Sequence, residues 1–305
     1  MRHCAPPVSQ SVLAGYLACA LIWGTTWYAI RACIAEYPTY AAVALRFAIA
    51  AAILVPLAIR ARPWPTRKVW GWLVLAGILD AGAYLLVYLG EERISGALAA
   101  VLYGTQPLIL AVPLTVARIE RITKRHVLGA IVSLAGVAVL FLDRLDVSAR
   151  QGVGVVMVVA SVVIATVYSM IMKQHAKRVH GLVSTAIFLA VTALVLGVVA
   201  VIAHEPIPWP PPVVPTIALL YLAVVGSVVA FLVYFWLLGK TGLLVTSTLV
   251  FVYPLVALVV DALFERDLPL SGRSYLGVAI TLGGLAVSLR GRAIARQVEA
   301  GDHSE

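Results

Sequence analysis

Apolar runs of about 20 residues follow one another along most of the chain, separated by short polar or charged connections. They are continuous rather than alternating, which is the pattern of buried helices and not of barrel strands. Each is long enough to cross roughly 30 Å of hydrocarbon as a helix, the form that satisfies its backbone polar groups within one segment. The hydropathy pattern predicts ten spans, over 12–32, 39–59, 69–90, 95–117, 126–142, 152–172, 182–203, 214–238, 243–263 and 274–290. Short connections make consecutive helices antiparallel neighbours. The proline-rich piece Pro206–Pro215 is the longest irregular connection. The first run exceeds a signal-peptide core and is followed by further spans, so it is expected to be retained. The expected fold class is an all-α integral membrane protein of ten transmembrane helices.

A second pattern lies over the first. In Gly96–Leu142 an apolar run carries Pro107, reaches a charged hinge at Glu120, and continues through Gly129 and Gly136. The same beat returns 147 to 148 residues later at Pro254, Asp267, Gly277 and Gly284. AYLLVY (Ala83–Tyr88) likewise lines up with AFLVY (Ala230–Tyr234), and Arg31 with Lys173. Collinear matches at a near-constant offset divide the chain into repeats over 12–142 and 152–290, with a polar cytoplasmic tail at 291–305.

Composition and charge then fix the solvent and the orientation. Hydrophobic residues make up 62% of the chain and charged residues 12%, against roughly 25% charged in soluble domains. With the N-terminus inside, 16 Lys and Arg face the cytoplasm and 6 face outward, Arg46 alone lying within a span; both termini are therefore expected to be cytoplasmic. The net charge of +9 follows from this loop bias and implies no nucleic-acid partner. Five spans is an odd number, so the second repeat enters the membrane upside down. The connection after span 2 carries four basic residues and its counterpart after span 7 none, while those after spans 1 and 6 carry one and three. Similar hydropathy with opposed charge bias marks an inverted-topology repeat, an architecture of transporters with a site at the repeat interface.

LIWGTTWYAIR (Leu21–Arg31), ALRF (Ala44–Phe47) and the paired proline–acid–glycine patterns resemble the EamA-type branch of the drug/metabolite transporter superfamily over nearly all of residues 12–290. The resemblance implies a ten-helix inner (plasma) membrane carrier of two inverted five-helix repeats, usually an exporter of small polar or amphipathic metabolites such as amino acids, nucleosides, amines and drugs. Ala165 stands where the family often has Trp, and Asp267 where Glu is usual.

Two charges lie within apolar runs, Arg46 and Asp80. A mid-helix charge costs about 3 kcal/mol to insert, so each needs a partner or a wet cavity. Arg46 and Asp80 sit roughly 10 Å and 15 Å from the outer ends of their spans, near enough to pair. Such a pair either fixes helix packing or lines a translocation cavity. Asp80, as the only acid deep in a span, also raises proton coupling. Asp261 reads as an interfacial charge.

The other candidates are polar and aromatic. Asp80, Tyr84 and Tyr88 share a face of span 3; Tyr103 and Gln106 share one in span 4; Trp23, Thr26 and Trp27 share one in span 1; Thr246 and Tyr253, with Ser247 nearby, share one in span 9. Tyr168 lies mid-span, whereas Tyr37, Tyr40, Trp64, Trp70, Trp209 and Tyr275 lie near span ends and read as interfacial anchors. The substrate-binding set expected from these patterns is Trp23, Thr26, Arg46, Asp80, Tyr84, Tyr103, Gln106, Tyr168, Thr246 and Tyr253. Pro107 and Pro254 occupy matching repeat positions and are the expected hinges; Pro113 reads as a static kink. The glycines of spans 5 and 10 permit close helix approach, as scaffold or as a homodimer contact.

Nothing enzymatic is expected: HExxH, GxSxG and a Walker phosphate loop are absent, and the six histidines read as tail or loop residues. Cys4, Cys19 and Cys33 have no metal-ligand spacing. No cofactor or metal is expected, and the partners are the lipid bilayer and a small-molecule substrate. The reading is a secondary transporter; the different-class alternative is a non-transporting membrane receptor or intramembrane enzyme.

Overall fold

The computed structural model describes residues 10–94, 99, 102–116, 122–140, 149–264, 273 and 276–288. Glu120, Asp267, Tyr275 and the tail lie outside the described residues, as do parts of 95–121 and the Asp261 side chain. Among the described residues the chain is helical throughout, with no strand.

Seven helices correspond in order to the first seven predicted spans: α1 (Gln10–Ile34), α2 (Thr39–Ile59), α3 (Arg67–Glu91), α4 (Gln106–Val116), α5 (Lys124–Leu140), α6 (Ala149–His175) and α7 (Gly181–Ala203). The eighth span is one rod in three parts: α8 (Val213–Ala223), a π-helical segment (Val224–Val229) and α9 (Ala230–Lys240). The ninth is broken into α10 (Leu243–Ser247), a 3-10 turn (Thr248–Phe251) and α11 (Tyr253–Phe264), and α12 is Leu276–Ser288. Six stretches are long and apolar enough to cross a membrane: Gln10–Ile34, Thr39–Ile59, Arg67–Glu91, Gln151–Arg178, Gly181–Ala203 and Val213–Lys240.

The structure sharpens the prolines. Neither Pro107 nor Pro254 bends a continuous helix; each follows a break at Gly104–Thr105 or at Val252, and each is the second residue of the helix that restarts there. In a first turn the missing amide removes no intrahelical bond. The Thr105 hydroxyl donates to the Leu102 carbonyl at 2.6 Å and so takes up an acceptor at the break. Two breaks at matching repeat positions result.

The histidine expectation needs correction at residue 126. Thr123 caps α5, its hydroxyl accepting from the His126 amide at 3.2 Å, so the helix starts two residues before the apolar run. His126 thereby lies inside it, 4% exposed, with Nδ1 2.8 Å from the Ser288 hydroxyl of α12. Tyr37 also departs from the interfacial reading: it is buried, and its hydroxyl is 2.9 Å from that of Thr216.

Packing runs mainly between the two halves of the chain. α3 lies against α6 and α7, α2 against α7, and α1 against α8, α9 and α11, whereas α1, α2 and α3 touch one another little. Two ends can be told apart by contacts. At one, the His180 amide donates to the Pro63 carbonyl, so the α2–α3 and α6–α7 connections meet. At the other, the Glu205 carboxylate accepts from the amides of Tyr40 and Ala41, so the α7–α8 connection caps the start of α2. α5 and α12 pack glycine to glycine: a Cβ on Gly129 would sit 2.6 Å from the Gly284 carbonyl, and one on Gly284 2.7 Å from that of Gly129.

Candidate functional site

The two broken spans frame a cavity of about 90 Å³. α1 contributes Trp23, Thr26, Trp27 and Ile30; α2 contributes Arg46; α3 contributes Ala83, Tyr84 and Val87. Tyr103 and Gln106 enter from either side of the first break, and Thr246, Val250 and Tyr253 from either side of the second. Ala165, Tyr168 and Ser169 of α6 and Tyr234 of α9 complete it. Among the described residues, α5, α7, α8 and α12 contribute nothing to the lining.

Nine of the ten predicted site residues meet here. The tenth, Asp80, does not line the cavity. It is fully buried on the side of α3 that faces α7, where its Oδ2 accepts from the Thr192 hydroxyl at 2.9 Å. The close approach of α7 sets this direction. A Cβ on Gly77, one turn before Asp80, would stand 2.7 Å from the Phe188 carbonyl. Oδ1 of Asp80 has no hydrogen-bond partner among the described residues.

Arg46 and Asp80 therefore form no ion pair, contrary to the depth argument from sequence. Depth along a helix is legible from residue count, but azimuth depends on the neighbour that supplies acceptors. Arg46, 1% exposed, reaches across to the π segment of span 8. Its Nε donates to the Ser227 hydroxyl at 2.9 Å, its Nη2 to the Gly226 carbonyl at 3.2 Å, and its Nη1 to the Tyr88 hydroxyl at 3.4 Å. A π segment shifts the helical bonding register and leaves carbonyls for other donors. Gly226 accepts a second one, Trp23 Nε1 at 3.3 Å. The guanidinium also lies over the Tyr84 ring, 4.8 Å from its centroid. Three of its five N–H donors are thus committed within the protein, and the remainder of the fork faces the cavity edge.

The walls are otherwise aromatic and hydroxylic. Trp23 packs against Tyr234 and Tyr253 with ring centroids 5.1 and 5.9 Å apart, and Trp27 meets Tyr103 edge to face at 5.3 Å. Tyr103 and Tyr234 are tied through their hydroxyls to Ser161 and Ser169, each at 3.1 Å. Thr26 and Thr246 turn their hydroxyls back to backbone carbonyls of their own helices. Trp27 Nε1 is buried without a hydrogen-bond partner among the described residues. Among the described residues no acidic side chain lines the cavity, and its one formal charge is the guanidinium. Such a surface suits a planar or aromatic body carrying an acceptor or a carboxylate.

Sequence patterns alone did not single out Ser169, Tyr234, Gly226 or Ser227. Tyr234 had a usable signal, since AFLVY was already aligned with AYLLVY. Gly226 is the repeat counterpart of Asp80 at an offset of 146 residues, but nothing in a valine-rich run announces a π segment. Glu91 falls just outside the predicted span 69–90, yet it is 8% exposed, and neither carboxylate oxygen has a hydrogen-bond partner among the described residues.

Known proteins resemble this chain along most of its length. Protein PagO of Salmonella typhimurium is 23% identical over 255 residues, 82% of this chain and 83% of that protein. A protein of Synechocystis sp. named as an uncharacterized transporter is 26% identical, covering 86% of this chain and 84% of its own. The Escherichia coli (strain K12) protein named uncharacterized inner membrane transporter YedA is 24% identical over 78% and 77%. A solved crystal structure superposes with a TM-score of 0.73 at 23% identity, over 92% of this chain and 98% of the other; at that identity it bears on the fold alone. The EamA-like transporter family matches residues 10–142 and 152–290, and the chain belongs to that family.

Proposed function

We propose that this membrane transporter is a ten-span secondary carrier with both termini cytoplasmic, which exports small amphipathic metabolites (amino acids or related compounds, or drugs) by alternating access. The carrying observation is the cavity, lined from both halves and framed by two helix breaks at matching repeat positions. Broken spans at a repeat interface are where carriers of this architecture hold substrate. The two halves act as inverted repeats that rock about the cavity, with Pro107 and Pro254 at the starts of the restarting helices as hinges. The meeting of the α2–α3 and α6–α7 connections at one end supports this inversion. Arg46 orients a carboxylate, Trp27 Nε1 meets an acceptor, and Trp23, Tyr84, Tyr168 and Tyr253 hold the apolar body, with Thr26, Gln106, Tyr103 and Thr246 tuning the fit. The protein works in the plasma membrane as a monomer, or as a homodimer through the outward faces of α5 and α12.

Counterflow in proteoliposomes tests this reading. Protein-dependent exchange of at least one radiolabelled amino acid, nucleoside or amine is expected, and it should fall when Tyr84 or Tyr253 is replaced by Ala. No exchange for any member of a broad panel would remove the carrier assignment.

A second reading concerns energy coupling, and the observation behind it is fully buried Asp80, whose Oδ1 has no hydrogen-bond partner among the described residues. A proton carried on or off that oxygen as the helices around α3 move would couple transport to a pH gradient. Asp80→Asn is expected to keep counterflow and lose uphill accumulation driven by a pH gradient. Accumulation unchanged in the variant rules Asp80 out as the coupling group.

A further inference from the structure

A second recess is larger than the central cavity. A groove of about 560 Å³ opens where α6 ends, α7 begins and α9 ends, at the same end of the molecule as the α2–α3 connection. Its walls are apolar, from Leu232, Phe235 and Trp236 on the span 8 side and Met172 and Leu182 opposite. Its rim is cationic, from Lys173, Lys177 and Lys240, with His180 beside them, and no acidic side chain among the described residues lines it.

The groove is built rather than accidental. Lys173 Nζ donates to the Leu238 carbonyl at 2.6 Å, which fixes an ammonium at the C-terminal turn of α9. Lys177 and Lys240 are exposed, and neither forms an ion pair among the described residues. Trp236 is 40% exposed one turn before Lys240 and is backed by α1, since a Cβ on Gly15 would lie 2.7 Å from its ring. An aromatic at that level, with lysines one turn further out, is the layering of a headgroup boundary. Apolar below and cationic above is also the complement of one kind of neighbour: basic recesses between transmembrane helices receive anionic lipid headgroups.

We infer that this groove seats one anionic phospholipid, its phosphate among Lys173, Lys177 and Lys240 and its acyl chain along Leu232, Phe235 and Trp236. Assigning the seat to the cytoplasmic leaflet rests on the orientation proposed above. Binding itself is read without that orientation, so the failure of one does not carry the other.

Native mass spectrometry of the full chain in detergent tests it, with dioleoylphosphatidylglycerol, dioleoylphosphatidylcholine and free glycerol phosphate as probes. Retention of one phosphatidylglycerol about tenfold above phosphatidylcholine is expected, with no displacement by glycerol phosphate. Lys177→Gln/Lys240→Gln is expected to remove most of that preference. Arg60→Gln/Arg67→Gln, which deletes the same charge from the same end but outside the groove, should change it less than twofold. Each single lysine variant should give an intermediate loss, which keeps the test available if the double variant folds poorly. Equal losses in the two double variants, equal retention of both lipids, or full displacement by glycerol phosphate would each overturn the seat.

Discussion

Two contact layers of this protein treat its internal duplication in opposite ways. Between α5 and α12 the halves match residue for residue: Gly129 meets Gly284, and Gly136 meets Gly277, each pair being the other's counterpart at an offset of 148 residues. Ser133, whose hydroxyl donates to the Thr281 carbonyl at 3.0 Å, is its own partner's counterpart at that same offset. It therefore sits where an axis relating the halves would pass. Between α2, α3 and span 8 the correspondence fails. α3 is one unbroken helix carrying Asp80, while the matching stretch of span 8 is π-helical and offers the Gly226 carbonyl and Ser227 hydroxyl to Arg46. Backbone proximity is a demand both halves meet with the same small residues. A site for an asymmetric solute makes different demands on its two walls, and there one half contributes charge and the other acceptors.

The symmetric layer is the easier to break, and the largest effect is expected there. Gly284→Leu drives its Cβ into the Ser133 amide nitrogen. Backbone cannot yield as a side-chain tip can, so no folded, monodisperse protein should be recovered on size exclusion. Gly283→Leu is the internal control, since a Cβ there meets nothing within 4 Å and the folded yield should stay near wild type. Equal behaviour of the two variants would mean that the glycine contact is not what holds α5 to α12.

The asymmetric layer should fail in function first. Arg46→Ala takes one donor each from the Ser227 hydroxyl and the Gly226 carbonyl and removes the one formal charge among the described residues of the cavity wall. Hydrogen bonds to a charged group are worth up to about 3 kcal/mol each, and losing the three that Arg46 makes should slow counterflow roughly a hundredfold. Arg46→Lys should recover little, because one ammonium cannot span Ser227, Gly226 and Tyr88 as the planar fork does. Ser227→Ala removes a single acceptor and should cost only about threefold. If Arg46→Lys matches wild type, charge alone is what the site uses.

The contrast also explains how much the sequence could tell. Span positions were legible because hydropathy is a one-dimensional signal: α1, α2, α3 and α7 lie within two residues of prediction at both ends. The cavity lining was largely legible because polar and aromatic residues in an apolar run have few places to go. Residues such as Tyr84, Tyr103 and Tyr253 were marked by being costly in lipid. The partner of Arg46 was not legible. Its main acceptors are a backbone carbonyl and a serine in a π segment, and the near-symmetric alternative, Asp80, was the obvious charge of opposite sign. Pairing by charge misled because the π segment places a carbonyl and a hydroxyl within reach of the guanidinium, while Asp80 packs toward α7 and accepts from Thr192.

The smallest effect concerns how the counterpart helices α2 and α7 begin. α7 is capped from within, the His180 ring nitrogen accepting from the Leu182 amide at 3.3 Å. α2 follows Pro38, which has no side-chain acceptor, and takes its cap from the other half: Glu205 Oε2 accepts from the Tyr40 and Ala41 amides at 3.0 and 3.3 Å. A carboxylate on two first-turn amides gains from both the hydrogen bonds and the positive end of the helix dipole, so Glu205→Ala should lower stability by about 1 kcal/mol. In a chain of this size that is a fall of about 2 °C in the detergent unfolding temperature. His180→Ala loses one long bond at an exposed end and should shift it by less than half as much. Glu205→Gln keeps an acceptor oxygen without the charge and should fall between wild type and Ala, which separates the hydrogen bond from the dipole. Because Glu205 joins the α7–α8 connection of one half to the start of α2 in the other, its loss should also quicken hydrogen exchange at Tyr40 and Ala41 while leaving the first turn of α7 unchanged. Equal quickening at both helix starts would mean that the two caps are interchangeable and that the asymmetry at this end has no energetic content.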